Sequence, residues 1–190
     1  MLVACEFSGI VRDAFRARGH AAVSCDLVPS ERPGPHIVGD VLSVLGMGWD
    51  GMIAFPPCTF LTVSGARWDS RPGRAENRES ALEFVRALMS APIPMIAIEN
   101  PIGRISSRIR RPEQIIQPWQ YGHGEVKATC LWLFGFPRLR PSSIVSGREA
   151  RCHRMGPSPT RTRDRSRTYL GIAAAMAEQW GALRLPERVM

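Results

Sequence analysis

The sequence predicts an α/β fold with a mostly parallel sheet and helices on both faces, a Rossmann-like arrangement. Two patterns predict it. Over the first hundred residues, short apolar runs alternate with stretches of helical periodicity, the pattern of βαβ units. Each apolar run is also followed by polar, acidic or glycine-containing residues, as at the carboxyl edge of a parallel sheet.

Leu2 to Cys5 reads as the first strand. Ile10, Val11, Ala14 and Phe15 then fall at helical spacing, and Gly19 can end that helix. Ala21 to Cys25 is the second strand, and Ile37 and Val38 are a short third. Met52 to Phe55 is the fourth, closed by Pro56 and Pro57. The next helix carries Ala81, Leu82, Val85 and Leu88 on one face. Ile93 to Ile98 is the fifth strand, Ala128 to Phe134 a sixth, and a last helix runs from about Thr168 to Trp180. No internal repeat interrupts this, and 190 residues suit a single domain over 1–190. Residues 138–167 differ in composition, with nine arginines against two acids. They read as an arginine-rich, loop-rich segment within that domain.

The formal net charge is +8, and all but one of the basic residues are arginine. That balance suits a polyanionic partner, of which nucleic acid is the commonest. An arginine-rich genome composition is the bland alternative. The five cysteines show neither CxxC spacing nor an even count, so no disulfide framework, zinc site or other metal is expected. No apolar run approaches the roughly 20 residues that span a bilayer, and no signal-peptide pattern opens the chain. The expectation is a cytoplasmic protein without a membrane partner.

The residues that follow the strands carry the chemistry. They are Glu6-Phe7-Ser8-Gly9, Asp26, Gly39-Asp40, Pro57-Cys58 and Glu99-Asn100-Pro101. Asp26 is placed to accept hydrogen bonds from ribose hydroxyls. Asp40 could accept one from an adenine amino group. The first turn has one glycine rather than GxGxxG, which suits a nucleoside cofactor without a pyrophosphate. Cys58 follows two prolines that stiffen its backbone, and the basic surroundings, Arg67 included, are expected to favour its thiolate. Cys5, Cys25 and Cys130 read as structural. Glu99 ends an apolar run, where a carboxyl can keep its proton and donate it to a ring nitrogen. An ion pair with an arginine is the competing reading of Glu99.

Together these residues resemble the DNA cytosine-5 methyltransferase family. Phe7-Ser8-Gly9-Ile10 is similar to its F-x-G cofactor turn, Gly39-Asp40-Val41 to its adenine-binding Gly-Asp, and Phe55-Pro56-Pro57-Cys58 to its nucleophile loop, which Ser64-Gly65 continues. Glu99-Asn100-Pro101 resembles its Glu-Asn-Val, and 167–180 stands where its last motif completes the cofactor pocket. The resemblance implies the class I S-adenosylmethionine-dependent methyltransferase fold and S-adenosyl-L-methionine as cofactor, bound by Glu6, Phe7, Ser8, Gly9, Asp26, Leu27, Asp40, Val41 and Pro56. It implies Cys58, Glu99, Asn100 and Lys127 as catalytic residues. DNA, a duplex with its target base flipped out, would be held by Arg67, Arg161, Arg163, Arg165 and Arg167. The chain departs from the family in three places. Thr59 follows the nucleophile where Gln is usual. Glu125-Val126-Lys127-Ala128-Thr129 stands for Gln-x-Arg-x-Arg, so Lys127 replaces one arginine and the other is lost. The large target-recognition domain is missing, with 138–167 in its place, as in compact members from phages and prophages. The alternatives are the same chemistry on free nucleotides or RNA, an amino-methyltransferase acting on an exocyclic amine, and a non-catalytic DNA-binding relative.

Overall fold

The computed structural model describes residues 1–63, 65 and 70–183. Seven strands form one sheet: β1 (Leu2–Ala4), β2 (Val23–Asp26), β3 (His36–Val38), β4 (Met52–Ala54), β5 (Ile96–Pro101), β6 (Gln114–Ile116) and β7 (Thr129–Phe134). Their order is β3-β2-β1-β4-β5-β7-β6. β1 to β5 are mutually parallel, and β7 lies antiparallel between β5 and β6. The chain has the expected Rossmann-like α/β fold, with the order reversing beside β1.

The sheet is buried on both faces, and the period-two alternation of its strands divides the core. Val3, Ile53, Ala97, Leu131 and Leu133 point to one side. They pack there against α1 (Ile10–Arg16) and, at the end of the chain, the helix Leu170–Gly181. Leu2, Ala4, Met52, Ile96, Ile98 and Trp132 point to the other side. There they meet Leu82, Val85 and Leu88 of α2 (Arg74–Met89) and Ile105 of α3 (Arg104–Arg108). Segment 138–167 contains two short helices, α4 (Arg151–Arg154) and α5 (Arg161–Ser166), which makes the terminal helix α6. No helix among the described residues is long and apolar enough to cross a membrane.

The largest departures from the sequence expectation lie at the last three strands. β5 starts at Ile96 rather than Ile93, because Pro92 and Pro94 cannot donate to a ladder. It runs on through Pro101, since β7 pairs with it that far, so Glu99 and Asn100 lie on the strand and not beyond it. The expected sixth strand is the seventh; the three-residue β6 is too short for its pattern to stand out.

The loop between β2 and β3 is organised from beneath by Arg12, a fully buried arginine of α1. Its Nε donates to Asp13, Nη1 to the Ser24 and Ser30 hydroxyls, and Nη2 to the Arg32 and Pro33 carbonyls. Room for the guanidinium depends on Gly9 and Gly34. A Cβ would stand 2.5 Å from it at Gly9 and 2.9 Å at Gly34, and both glycines have positive φ. Replacing Arg12 with Ala removes its hydrogen bonds to the buried Ser24 hydroxyl, the half-buried Ser30 hydroxyl and two carbonyls. The expected loss is about 3 kcal/mol or more in urea unfolding. A loss below about 1 kcal/mol would show that the loop holds itself.

Candidate active site at the carboxyl edge

The edge is built on one side by the turn after β1. Cys5 leaves the strand with φ 56, a left-handed conformation unusual for a residue with a side chain. It directs Glu6 inward. The Glu6 carboxylate, 4% exposed, accepts from the amides of Val11 and Arg12 and from the Ser8 hydroxyl. Burial raises its pKa, and these hydrogen bonds oppose the shift. The start of α1 therefore carries its own anion. Gly9, with φ 71, turns the chain into the helix. Asp26 ends β2 and accepts from the Val28 amide, while Leu27 beside it is 74% exposed. Asp40 caps a single 3-10 turn by accepting from the Leu42 amide, and Val41 turns into the core. Two carboxylates, an exposed apolar side chain and a turn with no free phosphate cradle thus share one edge. That donor set fits a nucleoside-type cofactor.

The other side is built around Cys58. Asn100, buried on β5, donates its Nδ2 to the Pro56 carbonyl at 2.8 Å and so ties the Pro-Pro-Cys loop to the strand. The Asn100 Oδ1 is buried with no hydrogen-bond partner among the described residues. The Cys58 carbonyl accepts from the amides of Leu61 and Thr62, and Thr62 bridges to Gly103 just after β5. Cys58 and Glu99 are both half-buried and sense each other's charge. The Cys58 pKa is raised, first by burial and next by the Glu99 carboxylate; Lys127 and Arg165 pull it down. The Glu99 pKa is raised by burial, opposed by Lys127 and the Thr129 side chain. A resting thiolate, expected from the basic composition, is therefore not what the site favours. Desolvation and a carboxylate neighbour outweigh Lys127 and Arg165. Lys127 donates its Nζ to the Arg165 carbonyl at 2.8 Å. One residue of the arginine-rich segment thus holds the ammonium that acts on both Cys58 and Glu99.

Cys58, Glu99, Asn100 and Lys127 are brought together, with Arg165 as a fifth member that the sequence placed on nucleic acid. Two of the other arginines, Arg163 and Arg167, are engaged with the protein. Arg163 lies over the Phe7 ring at 5.2 Å and pairs with Glu31. Arg167 takes Glu31 through two nitrogens and also pairs with Asp164. The Arg161 Nε is buried with no partner among the described residues. Arg67 and Ser64 lie outside the described residues. Of the cysteines read as structural, Cys25 and Cys130 are buried and Cys5 is partly exposed.

Sequence reasoning missed Glu31, Arg12 and Tyr169. Tyr169 donates to Glu125, which also pairs with Arg151. These side chains, with Lys127, Arg165 and Arg167, line a cavity of about 400 Å³ beside Ile10 at the start of α1. No motif marks any of the three, and Arg12 is one arginine among many.

No family model matches the chain, and no curated protein does. A solved structure similar to it is described as a candidate DNA modification methyltransferase encoded within a prophage of E. coli. The identity is 14% and the TM-score 0.37, over 70% of this chain and 46% of that one. The chain thus spans about half the length of the structure it matches.

Two outcomes test this geometry. A Cβ at Gly103 would lie 2.0 Å from the Leu61 carbonyl oxygen, so Gly103→Ala must push the Cys58 loop away from β5. The expected cost is about 1–3 kcal/mol; an unchanged urea midpoint would contradict the close approach. The raised Glu99 pKa means that folding favours its protonated form. That contribution is present at low pH and lost as pH rises through the raised value. Glu99→Gln should therefore gain stability relative to wild type as pH rises above the ordinary carboxylate range, measured as the difference in melting temperature. A flat or falling difference would contradict the shift.

Proposed function

We propose that the protein is an S-adenosylmethionine-dependent methyltransferase that transfers a methyl group to carbon 5 of cytosine in DNA through a covalent Cys58 adduct. One observation carries the reading. Cys58, Glu99 and Lys127 meet at one end of the sheet edge that also presents Asp26 and Asp40. A nucleophile, a proton-holding carboxyl and a cation are what addition to a pyrimidine ring requires.

The bound cofactor supplies an electrophilic methyl group. The chain's residues do the rest. Cys58, half-buried, loses its proton to solvent, and its sulfur bonds to carbon 6, which places negative charge on the ring. Glu99, whose protonated form burial favours, donates to ring nitrogen 3 and neutralises that charge. A neutral Glu99 also removes the carboxylate that holds the thiol's pKa up, so the protonation that suits the base suits the nucleophile. Lys127 favours negative charge on either partner and stands ready for the base carbonyl. Carbon 5 would then accept the methyl group, the carbon-5 proton would pass to solvent, and the electrons of that C–H bond would expel the Cys58 sulfur from carbon 6 as thiolate. Asn100 keeps the loop in register through Pro56.

The ribose and adenine of the cofactor would engage Asp26 and Asp40, with Leu27 against the adenine. Segment 138–167 stands in place of a target-recognition domain. Its length suits a short or relaxed target sequence.

A duplex carrying 5-fluorocytosine tests the chemistry, because fluorine cannot leave carbon 5 as a cation. The expected result is a protein–DNA complex, formed only with cofactor and stable to denaturant. Cys58→Ser should abolish both trapping and turnover. Turnover by Cys58→Ser near the wild-type rate would overturn the adduct and favour transfer to an exocyclic amine. Asp26→Ala and Asp40→Ala should each weaken binding of the demethylated cofactor by about 0.5–1.5 kcal/mol in calorimetric titration. Unchanged affinity in both would remove the cofactor from this edge.

A further inference from the structure

Glu31 is the acidic residue on which Arg163 and Arg167 converge. Its Oε1 and Oε2 accept from the Arg167 Nη2 at 2.7 Å and Nε at 2.9 Å, a two-pronged grip, and the Arg163 Nε reaches the same carboxylate. Carboxylate and phosphate present the same paired acceptors to a guanidinium. Glu31 is also fixed in space. It lies on the loop that Arg12 pins through Ser30, Arg32 and Pro33, and its amide donates to the Phe7 carbonyl at 2.8 Å. The arginines come from α5 and the residue that follows it, a short surface segment whose helix buries no residue. Between a pinned acceptor and a lightly held pair of donors, the donors are the ones that move.

We propose that Glu31 is a resident stand-in for a backbone phosphate, holding Arg163 and Arg167 in the free protein until a phosphodiester of the nucleic acid replaces it. The ion pairs are partly exposed, and such pairs are weak enough to exchange with a polyanion. The hydrogen bonds from Arg167 hold the Glu31 pKa below the usual carboxylate range, so the stand-in stays charged at neutral pH. Exchange has a consequence at the sheet edge. Arg163 lies over the Phe7 ring, so moving it to a phosphate uncovers the turn after β1. Nucleic-acid engagement and access to that turn become one event. The inference rests on the nucleic-acid reading above and adds an internal competitor to it.

The test is the affinity of a fluorescent mixed-sequence duplex for the cofactor-free protein, with methyl transfer to the same duplex measured in parallel. Glu31→Gln removes the competitor and should bind about five-fold more tightly, the scale of an exposed ion pair. Glu31→Asp keeps the charge but withdraws it by one methylene, and should also bind more tightly. Glu79→Gln removes an acid that pairs with Arg86 on α2, and should match wild type; it separates the clasp from a general change in charge. If both Glu31 variants bind no more tightly than wild type, or only as Glu79→Gln does, the inference is overturned. If wild type binds and methylates the duplex in that case, the proposed function stands without it. If no form of the protein binds the duplex, both fall together.

Discussion

A guanidinium with no access to water must find an acceptor for each of its five N–H groups, and Arg12 finds five within its own half of the sheet. Much of the carboxyl edge depends on that requirement. Meeting it fixes the β2–β3 loop above α1. It also restricts Gly9 and Gly34 to glycine and sets Glu31 beside Phe7. From Glu31 the order passes outward to Arg163 and Arg167, and along α5 to the Arg165 carbonyl. There it meets Lys127 and, through Lys127, the charges of Cys58 and Glu99. A buried cation under the first crossover is thus connected, contact by contact, to the nucleophile on the other side of β1.

The strands and their flanking residues were legible because the sheet is covered on both faces. Such strands are short apolar runs, and the chain's polar residues are forced to their ends. Asp26, Asp40 and Cys58 could be placed on that basis alone. Glu99 and Asn100 were found in the right neighbourhood, but on the strand itself. β7 supplies partners that far along, and an antiparallel strand that returns after an intervening helix and strand is invisible to local periodicity. The arginine-rich segment was legible only as charge. Which of its arginines face solvent, and which fold back on Glu31 or Glu125, depends on long-range pairs that composition does not encode.

The misjudged state of Cys58 has the same origin. Net charge acts at long range and is screened, whereas burial and a carboxylate neighbour act at the thiol itself. Burial favours the protonated forms of Cys58 and Glu99, the Glu99 carboxylate adds to the shift at Cys58, and Lys127 favours the ionised form of each. A thiol held in this way is protected from adventitious oxidation, which requires thiolate. It becomes nucleophilic when the adjoining carboxyl is neutral and occupied with a ring nitrogen. Reactivity is then linked to the presence of a base rather than built into the free protein.

The central claim is that carbon 5 of cytosine receives the methyl group. The most direct measurement supplies the protein with isotopically labelled S-adenosylmethionine and duplex DNA, digests the product to nucleosides and identifies the labelled base by mass spectrometry. The account predicts label in 5-methylcytosine and in no other nucleoside. Label in N4-methylcytosine or N6-methyladenine, or none in DNA at all, would contradict it.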